Sequence, residues 1–97
     1  MEGVATAMIQ DTMTYRVYLR TPQQQVSYKT STDDPAAALA AFRTLVDRTD
    51  LDGTEMLAVL NKDGQQVAHH FFKLLSDGTP ADPSKWWRGK VDQVQIK

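Results

Sequence analysis

Asp34-Pro35-Ala36-Ala37-Ala38-Leu39-Ala40-Ala41-Phe42-Arg43-Thr44-Leu45-Val46-Asp47 is the stretch around which the rest of the chain must organise. Asp34 is a favoured N-cap because its carboxylate accepts from the orphan N–H groups of a first turn. Pro35 suits the first helical position, where no N–H is needed. Ala and Leu, both strong helix formers, dominate residues 36–47. Ala38, Leu39, Phe42, Leu45 and Val46 recur at the 3.6-residue period that builds one apolar stripe. Arg43 and Asp47, four apart, fall on the wet side. The spacing predicts one amphipathic helix, ending near Thr49, that needs a single apolar surface to cover.

Two hairpins flank this helix and can supply that surface. Upstream, Tyr15, Val17 and Leu19 alternate with Arg16, Tyr18 and Arg20, the period-two pattern of a half-buried strand. Thr21-Pro22-Gln23-Gln24-Gln25 turns the chain and residues 26–30 return it. Downstream, Asp50-Leu51-Asp52-Gly53 makes a turn, and residues 54–60 set Met56, Ala58 and Leu60 against Glu55, Leu57 and Val59. Both faces are largely apolar, which predicts a central strand covered on each side. Asn61-Lys62-Asp63-Gly64 predicts a type I hairpin turn with Gly64 in the left-handed region. Residues 65–73 then return, with Val67, His69 and Phe71 opposed to Ala68, His70 and Phe72. The order ββαββ predicts an α+β fold: one helix packed on a four-stranded antiparallel sheet, with a Trp-containing C-terminal appendage. Asp82-Pro83 repeats the cap-and-proline signal and predicts a short helix carrying Ser84, Trp86, Trp87 and Lys90. Residues 91–97 fit either its continuation or a frayed strand.

A chain of 97 residues has room for one domain, here residues 13–97, preceded by a loose leader at residues 1–12. Periodic structure begins just after Met13, which therefore reads as a possible alternative start. With 41% hydrophobic and 24% charged residues and a net charge of −1, the composition excludes a strongly basic nucleic-acid coat and a strongly acidic DNA mimic. There is no Cys, hence no disulfide framework, thiolate metal site or Cys nucleophile. No apolar run approaches the ~18 residues that span a bilayer. The N-terminus opens with an acid where a secretory signal needs cations, so a cytoplasmic protein is expected.

Catalytic and metal motifs fail on chemistry. Asp50-Leu51-Asp52-Gly53-Thr54 resembles the DxDGT signature of haloacid-dehalogenase phosphatases, but only that pentapeptide matches. The residues before it are helical where the family has a buried strand, and no downstream lysine and paired acids follow. A calcium loop with Gly53 at its sixth position would place Arg48 and Val59 where acids are required. His69 and His70 are neighbours on a strand and point to opposite faces, so they cannot converge on one ion. No serine lies in a nucleophile-elbow context and no glycine-rich loop cradles phosphate. The expectation is a protein that is not an enzyme and uses no cofactor or metal.

Lys85-Trp86-Trp87-Arg88-Gly89-Lys90 is the segment singled out for binding. Adjacent indoles do not both face one core, which leaves one partly exposed beside three cations. Trp and Arg are the residues of binding hot spots, and the same set can stack on single-stranded bases. The structural alternative is that the segment simply closes the open face of the sheet. Arg16 and Arg20, joined by Lys29, on the polar face of the first hairpin with Tyr18 among them form a second, smaller basic-aromatic set, of the kind that is usually a solvated face.

Tyr15-Arg16-Val17-Tyr18-Leu19-Arg20-Thr21-Pro22, Leu51-Asp52-Gly53, Val59-Leu60 through Val67-Ala68-His69-His70, and Trp87-Arg88-Gly89-Lys90 together resemble small accessory proteins of bacterial conjugative plasmids and genomic islands. The resemblance spans roughly residues 13–90 and carries no assigned activity. It implies a cargo protein that binds a host or element protein, anti-CRISPR inhibitors being one such type. The expected function is a protein-binding regulator or inhibitor anchored by Trp86, Trp87 and Arg88, with Lys85, Lys90, Arg16, Tyr18 and Arg20 in support. The alternative is a nucleic-acid-binding accessory protein using Lys85, Arg88 and Lys90 with the same indoles. Monomer and homodimer are both open, the latter through an uncovered strand edge.

Overall fold

The computed structural model describes residues 14–95, so the expected leader at residues 1–12 lies outside the described residues. The elements run β1 (Tyr15–Arg20), β2 (Val26–Thr32), α1 (Pro35–Val46), β3 (Leu57–Lys62) and β4 (Gln65–Phe71), with short 3₁₀ turns at Thr49–Leu51, Pro83–Lys85 and Val91–Gln93. The four strands form one sheet in the order β2-β1-β3-β4 with every neighbouring pair antiparallel. One helix packs on a four-stranded antiparallel sheet, which is a small α+β fold.

The helix begins where the sequence places it. Asp34 Oδ1 accepts from the Ala36 N–H at 3.0 Å, and Pro35 opens the first turn. Ala38, Phe42, Leu45 and Val46 are buried, with Leu39 packed at the margin. They meet Tyr15, Val17 and Leu19 of β1, Ala58 and Leu60 of β3, and Ala68 of β4, with Phe72 just beyond β4. Cross-strand pairing puts these side chains in register: Val17 opposes Leu60, which opposes Ala68, and Leu19 opposes Ala58, which opposes His70. Burying this stripe is the main force that holds the helix on the sheet.

The other face follows from the same register. Its rows read Ser31–Arg16–Asn61–Gln66, then Tyr18–Val59–His69, then Val26–Arg20–Leu57–Phe71. No described helix packs on it. The central strand was expected to be covered on each side. Ala58 and Leu60 are buried beneath α1, and Val59 is fully buried on the opposite face, outside the core cluster and with no described helix over it.

Three further details differ from the sequence reading. β3 begins at Leu57 rather than Thr54, because residues 51–54 are a turn in which Thr54 Oγ1 donates to the Leu51 carbonyl at 2.7 Å. The β3–β4 loop holds both Asp63 (φ 51) and Gly64 (φ 83) at positive φ, the pattern of a type I′ turn rather than type I. Only a primed turn matches the twist of a two-residue hairpin. Third, no single helix carries Ser84 to Lys90. The cap at Asp82 starts a 3₁₀ turn that stops at Lys85, and Trp86 is already extended. A second 3₁₀ turn at Val91–Gln93 seats Val91 and Val94 in the core.

In the first hairpin, the Gln24 N–H donates to the Thr21 carbonyl at 2.9 Å and Gln24 sits at φ 69. β2 carries a bulge: Val17 opposes Thr30 and Leu19 opposes Ser27, leaving Tyr28 and Lys29 together against Tyr18. Tyr28 lies at φ 53, with its ring 63% exposed beneath the Arg48 guanidinium, 4.8 Å from the centroid.

A side chain in the left-handed region is strained where glycine is not. Gln24→Gly is therefore expected to raise stability, and Gly64→Ala to lower it, each by up to about 1 kcal/mol. Urea denaturation of the two variants measures both signs on the same fold.

Candidate functional site

The C-terminal segment is positioned by local polar chemistry. Asp82 Oδ1 accepts from the Ser84 N–H at 3.2 Å and from the Ser84 hydroxyl at 2.6 Å, which starts the 3₁₀ turn. Extended backbone at Trp86 then sends the two indoles in different directions. Trp86 lies on His70, centroid to centroid 4.5 Å at 43°, with the Arg88 guanidinium 4.9 Å from its ring. Trp87 packs against the hydrophobic core, and its backbone N–H donates to His70 Nδ1 at 2.9 Å.

Arg88 turns inward. Its Nε and Nη2 donate to the Val46 carbonyl at 3.0 and 2.9 Å, and its Nη1 and Nη2 donate to the Asp52 carboxylate at 2.9 and 2.8 Å. Val46 is the last residue of α1, so its carbonyl has no partner within the helix. The planar fork thus joins the helix end, the turn into β3 and the C-terminal segment. Both side chains of the ion pair are 25% exposed, and the Asp52 carboxylate holds the Arg88 guanidinium above its ordinary pKa. Lys90 is exposed, its N–H donating to the Trp87 carbonyl at 2.8 Å. The Asp50 of the DxDGT-like pentapeptide binds a different arginine, Arg48, with Nη2 to Oδ2 at 2.7 Å. The two acids therefore serve separate ion pairs around a helix-to-strand turn.

His70 is 0% exposed. Because its Nδ1 accepts from Trp87, the ring is the neutral tautomer with its proton on Nε2, and that atom has no hydrogen-bond partner. Burial pushes its pKa down to about 4, the Arg88 charge adds to the effect, and Asp52 opposes it. Phe72 meets the ring edge-on at 4.6 Å.

His69 points the opposite way, onto the helix-free face. Among the described residues, three polar atoms on that face are buried without a hydrogen-bond partner: Arg20 Nε, Asn61 Oδ1 and His69 Nε2, one in each row of the sheet. Asn61 Nδ2 does donate to the Tyr18 hydroxyl at 3.2 Å. None of the four strands contains Asp or Glu. Burial lowers the His69 pKa, and the Lys85 and Arg20 charges lower it further. At the β4 edge of the sheet, a shallow cleft of about 260 Å³ is lined by Gln66, Val67, Ala68, His69, Ser84, Lys85 and Trp87.

The predicted binding residues therefore divide. Arg16, Tyr18 and Arg20 on β1 lie on the helix-free face with His69, and Lys85 and Trp87 line the cleft at the β4 edge. Trp86 and Arg88 lie on the His70 side, and Lys90 stands apart in solvent. Sequence reasoning missed Asn61, Leu57 and Phe71 as members of this face. The signal was the period-two pattern of β3 and β4, but it needed the β1–β3 pairing, which joins two hairpins distant in sequence, to become a surface.

Removing Arg88 strands a buried carbonyl and a half-buried carboxylate. Arg88→Ala is expected to cost about 2–3 kcal/mol in urea unfolding, with Arg88→Lys recovering less than half, since an ammonium cannot span both acceptors. His70 has a folded pKa of about 4, below the ordinary 6.5, so the unfolded state binds the extra proton. Stability is then complete above pH 6.5 and falls by about 3 kcal/mol as the pH drops toward 4. Unfolding curves across that window, repeated on His70→Phe with a flattened dependence expected, measure this contribution. Comparison of the chain with family models, with curated proteins and with solved structures returns no match.

Proposed function

We propose that this chain is a non-enzymatic protein-binding module of the cytoplasm, a regulator or inhibitor that acts by covering a surface of its partner. The contact surface in this reading is the helix-free face of the sheet, with Arg16, Tyr18 and Arg20 at its centre and Lys85 and Trp87 in the cleft at the β4 edge. One observation carries it: a sheet face free of acids, presenting Arg and aromatic side chains, in which three buried polar atoms lack partners. Buried polar groups in folded proteins are nearly always paired, so several unpaired atoms beneath one face single that face out from the rest of the surface. Arg and aromatic residues are enriched at the centres of protein interfaces, and Asp and Glu are depleted there. The accessory-protein resemblance directs the search for the partner to host or element proteins, CRISPR effectors among them.

A second reading has some support from the same face. Arginines beside Tyr18 and Phe71 also suit phosphates and stacked bases. Few cations are present, however, and the row Val26–Arg20–Leu57–Phe71 is mostly apolar. Phosphate binding draws its strength from many cations, so the protein-binding reading leads.

The test is affinity capture from bacterial lysate with a tagged chain, with and without nuclease, at low and high salt. The comparison is an Arg16→Ser, Arg20→Ser variant whose fold is checked by circular dichroism. The expected result is a defined protein retained after nuclease and lost in the folded variant. Capture that nuclease or moderate salt abolishes would establish the nucleic-acid reading instead. Capture indifferent to the variant would remove this face from the interface.

A further inference from the structure

We infer that residues 86–94 form an acid-released latch: protonation of His70 frees this segment as a unit from the β4 side of the core, while α1 and the four strands stay assembled. The latch does not depend on the binding reading above.

His70 is fully buried, and its Nδ1 accepts from the Trp87 N–H at 2.9 Å. An imidazolium carries a proton on both ring nitrogens, so protonation sets two donors against each other across that contact. The second nitrogen offers no relief, because Nε2 is buried without a partner. The closed segment therefore suits only the neutral ring. Once the segment leaves, water can reach the imidazolium and the conflict is gone.

The charges around the ring add to this. Arg88 disfavours a second cation, and Asp52 favours one. The Asp52 carboxylate, however, already receives Nη1 and Nη2 of Arg88 at 2.9 and 2.8 Å. The other neighbours are neutral: Ala58 of β3 pairs with His70, and the Phe72 and Trp86 rings lie 4.6 and 4.5 Å away. Asp47, just past the end of α1, acts on Arg88, and Lys85 of the Pro83–Lys85 turn acts on His69, on the opposite face. Burial and the Arg88 charge hold the His70 pKa down at about 4.

The segment is also the part of the fold most easily detached. Residues 86–94 contain no strand and no α-helix, only the 3₁₀ turn at Val91–Gln93. They are held by the Trp87 bond to His70, by Trp86 on the same ring, by the Arg88 fork and by the buried Val91 and Val94. The first two of these act on His70 itself. The helix and the sheet share a core of their own, built on Val17, Leu19, Phe42, Val46 and Leu60. Peripheral units with few attachments open before the whole fold does. The open form binds a proton at the ordinary 6.5 and the closed form at about 4. The ratio of open to closed therefore rises about tenfold for each pH unit lost across that window.

The experiment is amide hydrogen exchange on the ¹⁵N-labelled full-length chain, followed by NMR from neutral pH down to about 4 alongside far-UV circular dichroism. The reporters are the Trp87, Lys90 and Val94 amides, each a hydrogen-bond donor within the segment, against the amides of β1 and β3. The segment amides are expected to be the less protected at every pH and to lose protection about tenfold per unit as the pH falls. They are expected to reach free exchange while the strands stay protected and the circular dichroism is unchanged. His70→Gln keeps an acceptor and cannot titrate, so it is expected to flatten the pH dependence in the segment, and His69→Gln is expected to leave it in place. Segment and strand amides sharing one protection at every pH would overturn the latch, whether or not the His70 variant folds. Segment protection that stays constant with pH, or a dependence that survives in folded His70→Gln, would overturn it as well.

Discussion

The fork of Arg88 is the interaction on which the arrangement of this small protein depends. An α-helix ends with carbonyls that have no donor inside the helix. Here the Val46 carbonyl lies at the edge of the core, where water does not compete freely, and two N–H groups of one guanidinium reach it. The opposite edge of the same plane holds Asp52, which fixes the turn leading into β3. Because Arg88 follows directly on the two indoles, closing this fork also presses Trp86 onto His70 and sets the Trp87 N–H against the His70 ring. The C-terminal segment thereby becomes the wall that finishes the β4 side of the core, and Val91 and Val94 complete it from the helix side.

A net charge near zero conceals a strong segregation. Acids gather in the loops and around the helix ends, while the strands carry Arg, Lys and His but no acid. On the helix side this is immaterial, because apolar side chains fill the space. On the other side it decides the character of the surface. Tyr18 pairs with the buried Val59 between the rows of Arg16 and Arg20, and Arg20 Nε, Asn61 Oδ1 and His69 Nε2 are buried without a hydrogen-bond partner. Such atoms are costly, and they set this face apart from the apolar one beneath the helix.

Most of the fold was legible in the sequence because its determinants are local. The Asp34-Pro35 cap, the apolar stripe of α1, and the alternation in β1 and β4 each act within a few residues, and the α+β class follows from their order. The type of turn at Asp63-Gly64 was not, since the handedness of the sheet, a property of several strands together, selects the primed form. The site was legible in part. Trp86, Trp87 and Arg88 were visible as an unusual cluster, yet their composition reads alike for a docking patch and for a structural clamp. What separates these is the identity of the acceptors, Val46 and Asp52, which lie far off in sequence. The surface around His69 depends likewise on strand order, and no window of sequence contains it.

The bulge at Tyr28 has a consequence for how copies of this chain behave at high concentration. β2 is an edge strand, and an unbroken edge is a template on which further strands can add without limit. At Tyr28 the backbone leaves the extended region, so an incoming strand would lose its ladder midway, between short runs of pairing on either side. Lys29 adds a charge at the same point. A strained residue on the rim of the sheet thus works as a stop against fibrillar growth, and the small conformational cost carried there protects the solubility of a domain that leaves much of its sheet uncovered.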